Sequence, residues 1–355
     1  MAQPPSKGED GGAAMSSAQS KSISPKDLIS TLPTSSDDRC SGPLVLYKNY
    51  WLRFTVLERI LLAQVTMKPR DDDIILATQP KSGTTWLKAL AFAITNRGRY
   101  GFGDHPLLTQ HPQHLVPSIE LHGPGRDHTD LNALASPRLL STHIPMSLLP
   151  PEMTPSSGRR VVYLCRDPKD TFVSRWHFDN KIFHGSAMEQ DKAYDLFCRG
   201  LSPYGPFWEH YLEYWKASLA TPDKVLFLKY EEIKEDSVGV VRKLAVFLGV
   251  PFSQEEESSR VPEEVARVCS FETLRSLQVN QVSVVNEHGN HRFPANSAFF
   301  RKGQVGDWAN HMSREMGEKM DQITKEKLKG SGLAFSFAFL VSFPHSSVSY
   351  SDISD

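Results

Sequence analysis

Cysteine is scarce in this 355-residue chain, which holds only Cys40, Cys165, Cys198 and Cys269, far apart and with no C-x-x-C pair. A disulfide framework normally shows closer, repeated spacing in a much shorter chain, so these read as reduced thiols in a reducing compartment. Net charge is equally slight: 40 Lys and Arg stand against 41 Asp and Glu, a formal charge of −1. No global field therefore draws the chain to nucleic acid or to an anionic membrane, and any anion site must be local. Long hydrophobic runs are missing too. The longest, Leu333 to Phe343, falls short of the roughly 20 residues that span a bilayer. The first 15 residues carry Glu9 and Asp10 and no apolar stretch, unlike a secretory signal or an Arg-rich, acid-poor transit peptide. These absences point to the cytoplasm. A Walker A loop, G-x-x-x-x-G-K-[ST], is absent as well.

What is present suits a globular protein: 39% hydrophobic and 23% charged residues. Residues 1–38 are rich in Ser, Gly, Pro and Lys, with almost no large apolar residue before Leu28. Such a stretch buries too little surface to offset its ordering entropy, which predicts disorder. A single domain is expected over residues 44–335, with no internal repeat and no second linker, followed by a tail at 336–355.

Within that domain short apolar runs alternate with helical patterns. Ile74–Ala77, Leu139–Thr142, Val161–Cys165 and Val225–Leu228 read as buried strands. Helical spacing follows from Thr85 to Ile94 and from Val238 to Phe247, and Asp167-Pro168 has the composition of a helix start. The alternation predicts an α/β fold with a central parallel sheet flanked by helices. Ligands in such folds sit in loops beyond the strands' carboxyl ends. The motifs occupy those loops.

Gln79-Pro80-Lys81-Ser82-Gly83-Thr84-Thr85-Trp86 joins the first of these strands to its helix. Small residues let backbone N–H groups converge on an anion at a helix N-terminus, Lys81 adds a full charge, and Ser82, Thr84 and Thr85 add hydroxyl donors. The plainer reading is a polar turn with a capping hydroxyl. Arg166 follows the Val161–Cys165 strand and Ser174 lies two helical turns on; an Arg fork suits phosphate, although Asp167 or Asp170 could instead hold Arg166 in a surface ion pair. Phe299-Phe300-Arg301-Lys302-Gly303-Gln304-Val305-Gly306-Asp307-Trp308 sets two cations before a glycine that permits close backbone approach. Three cationic loops on a nearly neutral chain point to a ligand with several anionic groups. His143, in Ser141-Thr142-His143-Ile144-Pro145, ends a short strand where a general base could stand, though any one of 13 histidines is more often structural. His105, His111 and His114 are interrupted by prolines and read as an ordinary loop, so no metal site is expected.

Together these segments resemble the cytosolic sulfotransferase family, and specifically its plant members, from about Leu44 to Phe335. The resemblance implies transfer of a sulfuryl group from 3′-phosphoadenosine-5′-phosphosulfate (PAPS) to a hydroxyl of a small organic acceptor, such as a phenolic, flavonoid, steroid or hormone-like molecule of plant specialised metabolism. Lys81, Ser82, Gly83, Thr84, Thr85 and Trp86 would form the P-loop-like 5′-phosphosulfate loop. Arg166 and Ser174, with Arg301-Lys302-Gly303, fall where the family binds the 3′-phosphate. Tyr230, in Leu228-Lys229-Tyr230-Glu231-Glu232, and Trp86 would contact adenine. His143 falls on the catalytic base, and Lys81 would stabilise the leaving group.

The chain also departs from the family. Ser141 stands where some animal members carry Lys, and Cys269 replaces a hydroxyl residue near adenine. The animal dimer motif is not recognisable between Trp308 and Glu318, which leaves a monomer or weak homodimer. The segment Tyr100 to Val116, rich in aromatic, His and Pro residues, is expected to line the acceptor pocket. Two other readings compete: a nucleotide phosphotransferase using the Lys81 loop for ATP, and a nucleotide-binding protein without turnover. The missing Walker A order opposes the first, and intact Lys81 and His143 oppose the second.

Overall fold

A computed structural model describes residues 24–35, 42–121, 129–154, 159–183, 187–282, 287–288, 291–292 and 294–335. Strands β3 (Ile74–Thr78), β4 (Leu139–Thr142), β5 (Arg160–Cys165) and β6 (Val225–Lys229) form a parallel sheet in the order β4-β3-β5-β6. Every residue of β3 and β4 is buried, as expected of parallel strands covered on both faces. Side chains alternate between two cores. Ile75, Ala77, Val161, Tyr163 and Cys165 enter one, which includes Phe207 and Tyr211 of helix α6 (Phe207–Ala220). Ile74, Leu76, Val162 and Leu164 enter the other, with α3 (Thr84–Asn96) and α8 (Ser237–Phe247). The expected strands and both helical segments are therefore present, and Asp167 caps α5 (Pro168–Ile182) by accepting N–H bonds from Lys169 and Asp170.

The register sets the site. Ala77 pairs with Thr142 and with Tyr163, and Cys165 with Lys229. The carboxyl ends of all four strands thus finish close to level, delivering His143, the Gln79–Gly83 loop, Arg166 and Tyr230 to one edge.

One boundary differs from expectation. Residues 24–35 are ordered: Ser24 caps α1 (Pro25–Ser30), Ile29 is buried in the core, and α1 packs on α2 (Phe54–Thr66). Pro33 and Ser35 then bond to Leu46 and Leu44 of β1 (Leu44–Tyr47), which pairs with β2 (Tyr50–Arg53). Ile29, with Leu32 packed beside the core and backbone bonds to β1, docks this stretch despite its polar composition. Residues 1–23 and the tail 336–355 lie outside the described residues.

Candidate active site

The Gln79–Gly83 loop is held from three sides. Thr84 Oγ1 lies 2.7 Å from Thr78 Oγ1, and Ser82 Oγ lies 3.2 Å from Tyr211 Oη. Gly83 adopts φ +112°, and a Cβ there would meet Leu164 and Tyr230 side-chain atoms at 2.9 Å. Only glycine lets the loop pass between β5 and α7 (Tyr230–Glu235). Lys81 also takes a left-handed φ of +72°, an uncommon conformation for a side-chain-bearing residue. No side chain caps the N-terminus of α3, which leaves its first N–H groups to an anion. Lys81 Nζ sits 3.7 Å from the Phe178 ring centroid and 5.5 Å from that of Phe299. Burial pushes its pKa down to about 7; Asp179 opposes this, while Arg166, Arg175 and Arg301 add to it.

Arg166 lies flat over Tyr230, its guanidinium carbon 4.4 Å from the ring centroid, and Trp86 meets the same tyrosine edge-on at 5.3 Å. Arg166 Nη2 donates to the Gln304 carbonyl at 2.6 Å and approaches Asp170 Oδ2 at 3.3 Å. The Arg166–Asp170 pair foreseen as a surface contact is in fact buried. Asp170 does more: its two oxygens accept the N–H groups of Gly306 at 2.8 Å and Trp308 at 3.0 Å. It thereby pins the C-terminal cationic loop against the start of α5. In that loop Arg301 and Lys302 both bond Asp307, and a Cβ at Gly303 would strike the Phe271 ring at 2.5 Å. Ser174 lies on the buried face of α5.

His143 stands at the end of β4. Its Nδ1 is 2.8 Å from the Thr78 carbonyl oxygen, which can only accept, so Nδ1 carries the proton and Nε2 keeps its lone pair. Its own backbone N–H donates to Glu120 Oε1 at 2.8 Å, and Thr142 Oγ1 donates to Glu120 Oε2. Burial lowers the imidazole pKa to about 3; the Thr78 carbonyl raises it, and Lys88, Arg175 and His210 depress it further.

The fold brings Lys81, Arg166, Arg301 and Tyr230 into one electrostatic neighbourhood, with His143 one strand away opposite Thr78. Asp170, Glu120 and Tyr211 were not singled out from sequence as site residues, and Asp307 entered only as part of the C-terminal cationic segment. Asp170 carried a signal, the i,i+4 spacing from Arg166, but Glu120 sits in no motif. Cys269 is fully buried and offers no surface to a ligand, and Ser141 is committed to the Pro117 carbonyl. His105 and His111 each accept an N–H as caps of short proline-led turns.

A PAPS-shaped polyanion fits this lining. Among the described residues the buried Nε atoms of Arg166 and Arg301 and Nε1 of Trp86 have no hydrogen-bond partner. Orphaned buried donors on two arginines are costly unless an anion answers them.

A parallel α/β sheet with a strand-to-helix anion loop and converging cations defines a nucleotide-dependent group transferase. The comparisons with known proteins narrow the class. Residues 71–332 match the sulfotransferase domain family. Cytosolic sulfotransferase 17 of Arabidopsis thaliana is 44% identical over 309 residues, 86% of this chain and 89% of that protein. Cytosolic sulfotransferase 15 of the same plant is 42% identical, covering 87% and 86%. Among solved structures, an Arabidopsis thaliana protein described as a steroid sulphotransferase superposes with a TM-score of 0.68 at 38% identity, over 87% of this chain and 94% of that one. A mouse sulfotransferase complexed with PAP gives 0.62 at 26% identity, over 81% and 95%. The chain belongs to the cytosolic sulfotransferase family and is a PAPS-dependent enzyme.

Proposed function

We propose that this enzyme sulfates a hydroxyl of a small phenolic, flavonoid, steroid or hormone-like acceptor in the cytoplasm, as a monomer or weak homodimer independent of nucleic acid and membrane. His143 is the general base and Lys81 the leaving-group cation. The observation that carries the assignment is the Nδ1–H bond to the Thr78 carbonyl, which leaves Nε2 unprotonated and able to accept a proton.

PAPS supplies the sulfuryl group. As the acceptor oxygen bonds to sulfur, the bond from sulfur to the 5′-phosphate oxygen breaks, and His143 Nε2 receives the hydroxyl proton. Negative charge accumulates on the departing oxygen, and the Lys81 ammonium stabilises it in this reading. Ser82, Gly83, Thr84 and Thr85 present hydroxyls and α3 N–H groups to the 5′-phosphosulfate. Arg166, Ser174, Arg301, Lys302 and Gly303 take the 3′-phosphate, and Trp86 and Tyr230 take adenine. The free imidazole is a weak base at a pKa of about 3. An anionic donor alongside it raises that value toward the working range, so the base is tuned when the donor is in place.

The test is His143→Ala measured against acceptors of graded pKa. Turnover should fall by roughly 10²–10⁴, less for acidic phenols that already exist partly as phenolates. Equal losses across acceptors in a destabilised variant would assign His143 to structure.

A further inference from the structure

Two lysines are almost wholly buried, Lys88 and Lys169, each 2% exposed. Lys169 has the Asp321 carboxylate at 2.5 Å. Lys88, on α3, bonds no carboxylate among the described residues; its ammonium donates to the side-chain amide oxygen of Gln113, in helix α4 (Pro112–Leu115). Burial pushes the Lys88 pKa down to about 7 against the opposing charge of Glu120, so a proton is held there at a cost to the fold that a methionine filling the same space would not carry. A cation buried at such a cost invites a functional explanation.

We propose that Lys88 is a positioning residue for the acceptor: through Gln113 it fixes the segment from His111 to Glu120 against the donor-loop helix and the strand that carries His143.

The contacts along that segment support this. The Gln113 amide spans consecutive turns of α3, receiving from Lys88 and donating Nε2–H to Thr85 Oγ1 at 3.3 Å. His111 accepts the Gln113 N–H at 3.1 Å and lays its ring 5.1 Å from Phe299 and 5.8 Å from Phe300, immediately before Arg301. Further on, Ile119 N–H donates to the Ser141 carbonyl and Ser141 N–H to that of Pro117, both at 2.9 Å. Glu120 then takes the N–H of His143. One segment therefore touches the donor loop, the cationic loop and the base strand, and Lys88 is its charged tether. The charge also reaches His143. The charged and titratable groups facing that imidazole are Lys88 from α3, Arg175 from α5, His210 from α6, and Glu120 and Tyr204 from loops.

The inference rests on the acceptor-side reading above, yet the two fail separately: an unimpaired His143→Ala strikes the base assignment, whereas the following experiment strikes only Lys88. Lys88→Met is assayed with PAPS and whichever of 4-nitrophenol, a flavonol and a hydroxysteroid the wild type sulfates. Acceptor KM should rise about 10–100-fold while affinity for adenosine 3′,5′-bisphosphate stays within about twofold, the range set by misplaced substrate contacts. The melting temperature should hold or rise. The acidic limb of kcat/KM should move to higher pH, because a neighbouring cation has been removed from His143. Gln113→Leu should raise KM similarly but lower the melting temperature, since it strands the ammonium. The double variant should recover melting without recovering KM, and Gln113→Glu should keep KM near wild type. An acceptor KM within twofold in Lys88→Met would overturn the proposal. So would a KM rise accompanied by equal losses of nucleotide affinity and melting temperature.

Discussion

Replacing Asp170 with alanine isolates the contact that pins the C-terminal cationic loop beside Arg166, at the proposed nucleotide site. The carboxylate accepts two backbone N–H groups, from Gly306 and Trp308, and pairs with Arg166. Each stranded N–H costs about 1–3 kcal/mol. Breaking a buried ion pair by removing one partner costs about 3–5 kcal/mol. The terms share the same atoms and do not add, so about 3–5 kcal/mol is the expected total. For a domain of this size about 2–4 °C accompany each kcal/mol, which puts the loss near 6–20 °C. Because the contact anchors only the C-terminal cationic loop, much of the cost can instead appear as local opening. Apparent affinity then falls in proportion to the closed fraction, by about 10–100-fold. Calorimetric titration with adenosine 3′,5′-bisphosphate and a melting curve measure both. Asp170→Asn, which keeps an acceptor oxygen but no charge, should fall between. A variant of Asp170→Ala that binds the nucleotide within twofold and melts within about 1 °C of wild type would refute the reasoning.

Lys81, with its pKa lowered to about 7, is partly unprotonated in the free enzyme near neutrality. An anion beside it raises that pKa, so nucleotide binding near pH 7 should take up protons; calorimetry in buffers of different ionisation enthalpy reads the uptake, and Lys81→Met should remove it. Ile29→Ala should lower stability by about 2–5 kcal/mol, the usual range for a fully buried isoleucine. Unchanged melting in that variant would show that α1 does not dock.

The sheet was legible because its strands are short, β-branched and bounded by turn residues. Val161-Val162-Tyr163-Leu164-Cys165 is buried on both faces and reads as one continuous apolar run. Lys81, Arg166, Tyr230 and Arg301 were legible as charged or aromatic residues just beyond such runs. Their partners were not. Glu120 reaches His143 through 23 residues of chain and Asp170 reaches Gly306 through 136. A carboxylate that serves backbone N–H groups across such distances leaves no periodicity to detect. Helix α1 was missed for another reason: its docking rests on few apolar side chains, Ile29 and Leu32, and on backbone bonds to β1, in a polar stretch.

The cationic pocket is assembled from residues far apart in the order of synthesis. Lys81 leaves the ribosome early, while Arg301 follows 220 residues later (301 minus 81). At about 5–20 residues per second, roughly 10–45 s of translation separate them. During that interval the nascent chain holds the Gln79–Gly83 loop and Arg166 without the segment whose N–H groups Asp170 accepts. The loop that Asp170 receives is therefore completed only once residues through Trp308 are available to fold. A message truncated before the codon for Trp308 yields a chain whose Asp170 has lost one of its two amide partners and whose cationic loop is no longer pinned to α5 at both points.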